Sequence, residues 1–334
     1  MIRDQLIFPL IKEICMEENI TFVEEPSRGM FGVMIFPNQK KYFVKDVNFN
    51  LNYISAVRIT KNKALTSYFL DLFGYNVPKY TMVYSDEKCK KYGLKDNLAK
   101  GKEFAKVLGY PLVIKVNDSS KGQGIYKVYE EKELVEKARD ILFQTNTFQI
   151  QKYYDYNDYR IVVLGNKIIS AYQRVPLYVV GDGVNTIRLL LEQKQEEFIE
   201  AGRDTIINVY DKDIENNLIK LGYNLESILS NGERCELRFI SNLSAGGESI
   251  ELTDKIHKDY AKLGIKIAQD LNLHLCGIDI MCPDISKKRE NYIILEVNSS
   301  PGLDNYVYSG KKQELYVKEL YRKVILYIRD TIMI

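Results

Sequence analysis

Two neighbouring apolar runs near the end of the chain carry the polar residues that most constrain this sequence. LCGIDIMCP and ENYIILEVN each predict a buried strand, and a polar turn separates them. Side chains alternate along a strand, so Glu296 and Asn298 project from one face, and pairing of the two strands brings Asp279 beside them. Two carboxylates and an amide oxygen are the hard donors that Mg²⁺ prefers. The alternative is that the three residues face solvent at strand edges. Strands this apolar are expected to be buried, which disfavours that alternative.

Composition excludes several other classes of site. The net charge of +2 gives no overall attraction to nucleic acid or to a membrane surface, so any anion site must be built locally. The five cysteines are scattered without a CxxC pair, which argues against a zinc site and a disulfide framework. His257 and His274 are the only histidines, so histidine-rich metal sites and Ser-His-Asp schemes are disfavoured.

The N-terminal residues and the hydropathy pattern bear on location. The first twenty residues carry acids and a proline, unlike a signal peptide, and no apolar run approaches the ~20 residues of a membrane span. A cytoplasmic protein with reduced thiols is therefore expected, with no membrane or nucleic-acid partner.

Helical and strand patterns alternate along the chain, and most strands pair as hairpins. This arrangement predicts an α+β class with mixed, largely antiparallel sheets. Hairpins are predicted at 32–44 and 159–176, and strands flank a glycine loop at 119–124. Helices are predicted at 4–17, 62–74, 96–108, 131–143, 184–200, 254–271 and 312–333.

A lysine and a glycine-rich loop form a candidate phosphate site. Lys115 follows an apolar run, and the segment from Ser119 to Gly124 reads SSKGQG. Glycines let backbone N–H groups approach phosphate oxygens, and a lysine supplies the countercharge. The same segment also fits a plain hairpin turn, and it lacks the spacing of a P-loop.

The segment QIQKYYDYNDYRIVVLG predicts a second part of a nucleotide site. A strand that ends in aromatic residues and is followed by Asp158 can offer a backbone edge to adenine and a carboxylate to ribose. The alternative is a tyrosine-rich strand that packs its rings in the core.

Three arginines complete the candidate set: Arg160, Arg174 and Arg238 can each bind phosphate or carboxylate through two N–H groups, or pair with acids at the surface. Gly246 and Gly247 could supply N–H groups for a developing oxyanion.

In this order, the elements resemble the ATP-grasp superfamily. The resemblance is closest to the ATP-grasp domain of cyanophycin synthetase and of bifunctional glutathione synthetase, over roughly residues 58–310. RVPLYVVGDGVNTIRLLL, LRFISNLSAGGESIELTD and LCGIDI…ILEVNSSPGL carry it. It implies an ATP-grasp fold, in which two α+β subdomains grip ATP, at 61–153 and 154–334, after an N-terminal α/β segment of unknown role at 1–60.

The resemblance also implies roles for individual residues. Lysines that contact phosphate would be Lys63 and Lys115, and the loop that covers the phosphates would include Lys121, Gly122 and Gly124. The adenine hinge would run from Gln151 through Lys152 to Tyr154, with Asp158 on the ribose. The metal ligands would be Asp279, Glu296 and Asn298, while Arg174 and Arg238 would hold the transferring phosphoryl group or acyl phosphate.

The chain departs from the family pattern at two points. Gln151 stands where the hinge usually has glutamate. The sequence shows no Mur-ligase-like domain after this module and no glutamate–cysteine ligase domain before it, so the chain alone is expected to make neither cyanophycin nor glutathione from its simplest precursors.

The implied reaction is ATP-dependent, ADP-forming ligation of an amino-acid or peptide carboxylate to an amine through an acyl phosphate. ATP and Mg²⁺ are the expected cofactors, with two ions bound and Mn²⁺ as a substitute. A phosphotransferase and a non-catalytic nucleotide-binding protein are the alternatives, and a homo-oligomer is an expectation from relatives of this kind.

Overall fold

The four-stranded sheet has one apolar and one polar face. The computed structural model of the protein describes residues 7–27, 30–116, 124–201, 203, 205–302 and 311–333. Within it, β4 (Tyr80–Tyr84), β7 (Thr147–Lys152), β5 (Leu112–Val116) and β6 (Ile125–Val128) form an antiparallel sheet in that order. Ile114, Ile150 and Phe148 are fully buried under the helices on one face. The other face carries Lys115 and Gln151.

A five-stranded antiparallel sheet forms the second layer, in the order β12-β9-β8-β13-β14. Its strands are β8 (Asn157–Leu164), β9 (Lys167–Val175), β12 (Glu248–Glu251), β13 (Leu275–Cys282) and β14 (Ile293–Asn298). One face, with Ile161, Ile278 and Val297, packs on an apolar core that includes Tyr260 and Ile267 of the helix Lys258–Asp270.

The opposite face of this sheet is divided along its length. Val162, Leu164 and Leu275 belong to a core shared with the N-terminal residues and the C-terminal helix. Farther along the same strands, Arg160 and Asp279 replace apolar side chains and line an open cleft. The switch from apolar to charged residues on one face therefore marks where the sheet stops being core and becomes a site.

Two smaller sheets complete the fold. The first has the order β1-β2-β3, formed by Thr21–Glu24, Phe31–Ile35 and Lys41–Lys45, so the predicted hairpin at 32–44 is confirmed. The second pairs β10 (Tyr178–Val180) with β11 (Arg234–Glu236) and has its own apolar core beneath two helices.

The helices follow the predicted pattern with additions. Their bounds are α1 Ile7–Glu17, α2 Ile54–Lys61, α3 Lys63–Leu72, α4 Asp86–Tyr92, α5 Leu98–Leu108, α6 Glu131–Thr145, α7 Ile187–Glu200, α8 Lys212–Lys220, α9 Lys258–Asp270 and α10 Lys311–Tyr327, with a π-turn at Ile328–Ile332. Sequence periodicity missed α2, α4 and α8, each of nine residues or fewer. Within the described residues, no helix is both long and apolar enough to cross a membrane.

Candidate functional site

The two larger sheets face each other across a cleft of 1900 Å³. Its charged lining contains nine Lys and Arg side chains against five Asp and Glu side chains, although the whole chain has a net charge of only +2. The excess of positive charge is therefore local, as an anion site in a nearly neutral protein requires.

The predicted metal-ligand set comes together on the five-stranded sheet. β13 pairs with β14 so that Asp279 lies opposite Glu296, and Glu296 and Asn298 share a face. The Asn298 amide donates to Glu296 Oε1 at 3.1 Å, which turns its own oxygen to the other side of the amide group. All three residues line the cleft. The grouping inferred from strand alternation is thus present in the structure.

Asp279 differs from its two neighbours because arginines already bind its carboxylate. Arg160 donates from Nε to Oδ1 at 2.6 Å and from Nη2 to Oδ2 at 2.8 Å, while Arg174 Nη1 lies 3.0 Å from Oδ2. Burial disfavours the ionised carboxyl, yet the charges of Arg160 and Arg174 hold its pKa well below the usual range. Asp279 is thus a permanently ionised centre of an arginine network.

Asp158 belongs to the same network. Arg174 Nη2 donates to its Oδ1 at 2.7 Å, and the Ser241 hydroxyl donates to its Oδ2. Both carboxylate oxygens therefore have partners in this structure, and the ribose contact implied by the family resemblance stays a prediction. The β8–β9 register, with Asp158 opposite Arg174, accounts for this pairing.

The donor set fits a divalent cation of the Mg²⁺ type. Glu296 and Asn298 offer hard oxygens on the cleft wall, and Asp279 supplies a second carboxylate beside them. Among the described residues, no group of three His, Cys, Asp and Glu side chains could hold a metal ion. Two carboxylates and an amide are instead the set that the cleft provides.

Lys115 faces this wall from the four-stranded sheet. Its side chain is only 9% exposed, and burial lowers the pKa of its ammonium. The negative charges of Glu296, Asp158 and Asp279 oppose that lowering from across the cleft, while the positive charge of Lys63 adds to it. Lys63 begins α3 and lines the same cleft. The two predicted phosphate lysines therefore line one cleft, close enough for the charge of Lys63 to act on Lys115.

The predicted phosphate loop is only partly described. Lys121 and Gly122 lie outside the described residues. Gly124 has φ +69°, and a Cβ there would meet the Val116 side chain at 2.6 Å, so only glycine fits this turn. Its carbonyl accepts from Val116 N–H, which closes the end of the β5–β6 connection.

The predicted hinge lies along the cleft as β7 leaves the sheet. Gln151, Lys152 and Tyr154 all line the cleft, and Lys152 N–H donates to the Lys79 carbonyl at 2.9 Å. Gln151 is 2% exposed and its amide donates to Gln149 Oε1 at 2.9 Å. The hinge side chain is thus a buried amide within a pair of amides.

Gly246 and Gly247 have a structural role that differs from the predicted one. Their N–H groups donate to the carbonyls of Leu243 and Asn242 within the turn, and neither residue is among those that line the cleft. A Cβ on Gly247 would meet the Ser241 carbonyl oxygen at 2.7 Å. These glycines therefore allow the turn to pack closely, and the oxyanion role stays a prediction.

Arg238 does line the cleft, and its Nη2 pairs with Asp211 at the start of α8. Its Nε is buried without a partner in the described structure. Sequence reasoning gave no role to Ser241 or to Arg203, which binds the Leu243 and Gly247 carbonyls behind the cleft wall. Arg160 was singled out but not assigned to the site, although its i+2 spacing from Asp158 is the signal that places both on one face.

Comparison with known proteins bears on part of this cleft. Residues 185–315 match the family model described as RimK-like ATP-grasp domain. Over this segment the chain is similar to a RimK-like ATP-grasp domain. Three of the predicted residues that line the cleft wall, Asp279, Glu296 and Asn298, lie within the matched segment.

Two curated proteins are similar to most of the chain. Cyanophycin synthetase of Crocosphaera subtropica is 31% identical over 297 residues, covering 86% of this chain and 33% of the relative. The glutathione biosynthesis bifunctional protein of Mannheimia succiniciproducens is 29% identical over 299 residues, covering 83% and 37%. The chain thus spans about a third of the length of these curated relatives.

A solved structure shares the fold. The bifunctional glutathione synthetase from Pasteurella multocida superposes with a TM-score of 0.60 at 21% identity, covering 96% of this chain and 44% of that one. The predicted α+β ATP-grasp fold is confirmed.

Proposed function

We propose that the protein is an ATP-dependent, ADP-forming ligase that joins the carboxylate of an amino acid or short peptide to an amine. The observation that supports this proposal is that oxygen ligands for a metal ion and positively charged side chains line the same cleft. Glu296, Asn298 and Asp279 offer oxygen ligands on the wall formed by the five-stranded sheet. The buried Lys115 faces them from the four-stranded sheet, and the half-buried Lys63 lines the same cleft.

The buried Lys115 suits the phosphates of a nucleotide. A cation that is 9% exposed loses hydration on folding, so an anion that enters the cleft recovers the lost interaction free energy. Lys63 and Lys115 would contact the phosphates, with Lys121, Gly122 and Gly124 covering them. Lys152 and Tyr154 would meet the base through the backbone, with Asp158 at the ribose. These roles rest on the family resemblance and on the shared cleft.

Glu296, Asn298 and Asp279 would hold Mg²⁺, with two ions proposed and Mn²⁺ as a substitute. The bound metal would neutralise phosphate charge during transfer. Arg160 and Arg174 keep Asp279 ionised at every physiological pH, which preserves its charge for the cation. Arg174 and Arg238 would position the transferring phosphoryl group or the acyl phosphate.

The proposed reaction has two balanced steps. A carboxylate oxygen of the substrate attacks the γ-phosphorus of ATP, the bond to the bridging oxygen breaks, and ADP leaves. The amine then attacks the acyl carbon, phosphate leaves with the C–O electron pair, and the amine loses a proton. Walls that exclude water protect the acyl phosphate from hydrolysis.

The relatives support an amide as the product, because they are named for making cyanophycin and glutathione. We place the chemistry in the cytoplasm and divide the chain at 61–153 and 154–334, with 1–60 before the two subdomains. α1, the small N-terminal sheet and α10 share one core with the five-stranded sheet. We therefore propose that residues 7–51 stabilise the cleft wall from behind.

The test is an ADP-release screen over pairs of amino acids and short peptides, with mass spectrometry of the products. We expect ADP only when both a carboxylate and an amine are present, and a product with the mass of the two substrates less one water. A stable phosphorylated product formed without an amine would instead identify a phosphotransferase.

A further inference from the structure

A pair of buried amide side chains lies in the four-stranded sheet, and the proposed chemistry does not use it. Gln149 and Gln151 alternate along β7, so both face the cleft side of the sheet, and they are 0% and 2% exposed. Gln151 Nε2 donates to Gln149 Oε1 at 2.9 Å. Gln151 lines the cleft, whereas Gln149 lies behind it.

The surroundings of Gln151 suit a planar ring. Val113 and Ile125 line the cleft on the same sheet, and Met281 and Leu295 line it on the opposite one. A cleft with apolar side chains on both walls and a buried amide in its lining suits a nucleobase, whose faces are apolar and whose edge carries donors and acceptors. This step rests on the proposed nucleotide-dependent function.

The amide pair has two arrangements that keep the hydrogen bond between the side chains. As the structure stands, Gln149 Nε2 is buried without a partner among the described residues. If both amides turn over, Gln149 Nε2 donates to Gln151 Oε1, and the hydrogen bond between them is kept. The atom left without a partner is then a carbonyl oxygen, which costs less to bury unpaired than an N–H donor.

Each arrangement presents a different atom to a ligand. With Gln151 Nε2 turned to Gln149, its Oε1 is the group left to accept from an amino substituent. With the pair reversed, its Nε2 is left to donate to an oxo substituent. A carboxylate at this position could only accept, and would repel an oxo group.

We infer that Gln151 makes the nucleotide site read 6-aminopurine and 6-oxopurine bases nearly equally, so that the protein uses GTP as well as ATP. Gln149 acts as a positioning residue, because it supplies the partner that either orientation of Gln151 requires.

The experiment measures the dissociation constants of ADP and GDP, each with Mg²⁺, by titration calorimetry on the full chain. For the natural protein we expect values within about 10-fold of each other, since each base finds one matching amide atom. For Gln151→Glu we expect ADP to bind nearly as before and GDP to bind about 10- to 100-fold more weakly, the range for an unmatched buried polar pair.

Two further variants separate base recognition from other causes. Gln173→Glu adds the same negative charge elsewhere on the cleft lining, so it should leave the ratio of ADP to GDP affinity unchanged. Gln151→Met removes both donor and acceptor and should weaken the two nucleotides alike.

Each outcome has a definite meaning. A natural protein that binds ADP more than about 10-fold tighter than GDP overturns the inference but leaves the proposed ligase intact. An equal change of the ratio in Gln151→Glu and Gln173→Glu also overturns it, because charge alone would then be the cause. Failure to bind either nucleotide would remove the proposed function itself. The natural protein's ratio decides the question even if Gln151→Glu does not fold.

Discussion

The two sheets that face each other across the cleft treat their buried charges differently. On the five-stranded sheet, Asp279 and Asp158 are held by Arg160 and Arg174 at 2.6–3.0 Å, so each buried charge has a buried partner. On the four-stranded sheet, Lys115 makes no ion pair within the described part of the chain, and burial lowers its pKa.

The ion pairs of the five-stranded sheet hold its charged side chains in position, whereas Lys115 on the four-stranded sheet is suited to bind an anion. A network of ion pairs holds its geometry without a ligand. Removal of any member would leave a buried charge without a partner in a low-dielectric environment, which costs free energy. A buried cation that makes no direct ion pair gains most when an anion arrives. The anionic phosphates of a nucleotide would thus be drawn to the Lys115 wall and oriented by the other.

The largest effect is expected when the ion-pair network of the five-stranded sheet is disrupted. Arg174→Met leaves Asp158 and Asp279 each without one guanidinium partner, so the free energy of unfolding should fall by about 3–5 kcal/mol. Urea denaturation measures this. The control is Arg234→Met, whose pair with Glu236 is solvent-exposed and should be worth less than about 1 kcal/mol. Equal losses in the two variants would show that the network is not a special feature of the wall.

The second prediction concerns Lys115 on the four-stranded sheet. Lys115→Met removes a desolvated charge while it keeps most of the aliphatic stem, so the ligand-free protein should be at least as stable as the natural one. Its affinity for ADP should fall about 10- to 100-fold, the value of one charge-assisted hydrogen bond. Calorimetry and urea denaturation on the same variant check both halves.

Lys102→Met provides the matched control, because Lys102 pairs with Glu131 at 2.6 Å on the outside of the same subdomain. It should leave ADP affinity unchanged. A Lys115→Met protein that is clearly less stable, with normal ADP affinity, would reverse the contrast between the walls.

A smaller effect is expected from the thiols behind the five-stranded wall. Burial raises the pKa of Cys276 from 9.0 to about 12 and that of Cys282 to about 11, and both lie in β13. These thiols ionise in the unfolded chain above pH 9 but stay protonated in the folded protein, so stability is unaffected below pH 9 and falls as pH rises above it. Each thiol contributes up to about 1.4 kcal/mol per pH unit.

Cys276→Ala checks this prediction through urea denaturation at several pH values above 9. The variant is less stable at neutral pH because it leaves a small cavity, but its stability should decline less steeply with pH, by about one proton's worth. Parallel curves for the natural protein and the variant would contradict the assignment of a buried, neutral thiol.

The sequence was sufficient for the parts of this molecule that depend on local pattern. Strand alternation and a short polar turn predicted that Asp279, Glu296 and Asn298 come together, and β13 and β14 pair accordingly. The hairpin of β8 and β9 was visible for the same reason. Both features depend on residues close along the chain, where the twofold period of a strand fixes the face of each side chain.

Features that depend on distant pairings were not predictable from the sequence. The two arginines on Asp279 come from separate strands whose register is set by the whole sheet, and Ser241 reaches Asp158 from a loop more than eighty positions later. A glycine pair in a sequence does not reveal whether its N–H groups face a ligand or another carbonyl, and those of Gly246 and Gly247 donate to carbonyls within their own turn.

The central claim is that the two walls bind different parts of one ligand, with metal on the Glu296 wall and phosphate on the Lys115 wall. The most direct test is titration calorimetry of ADP with and without Mg²⁺ on the natural protein, Glu296→Gln and Lys115→Met. The account predicts that Mg²⁺ tightens ADP binding by the natural protein and that Glu296→Gln loses this increment while keeping its metal-free affinity. Lys115→Met should lose affinity under both conditions. A Glu296→Gln protein whose ADP affinity still rises with Mg²⁺ as in the natural one would contradict it.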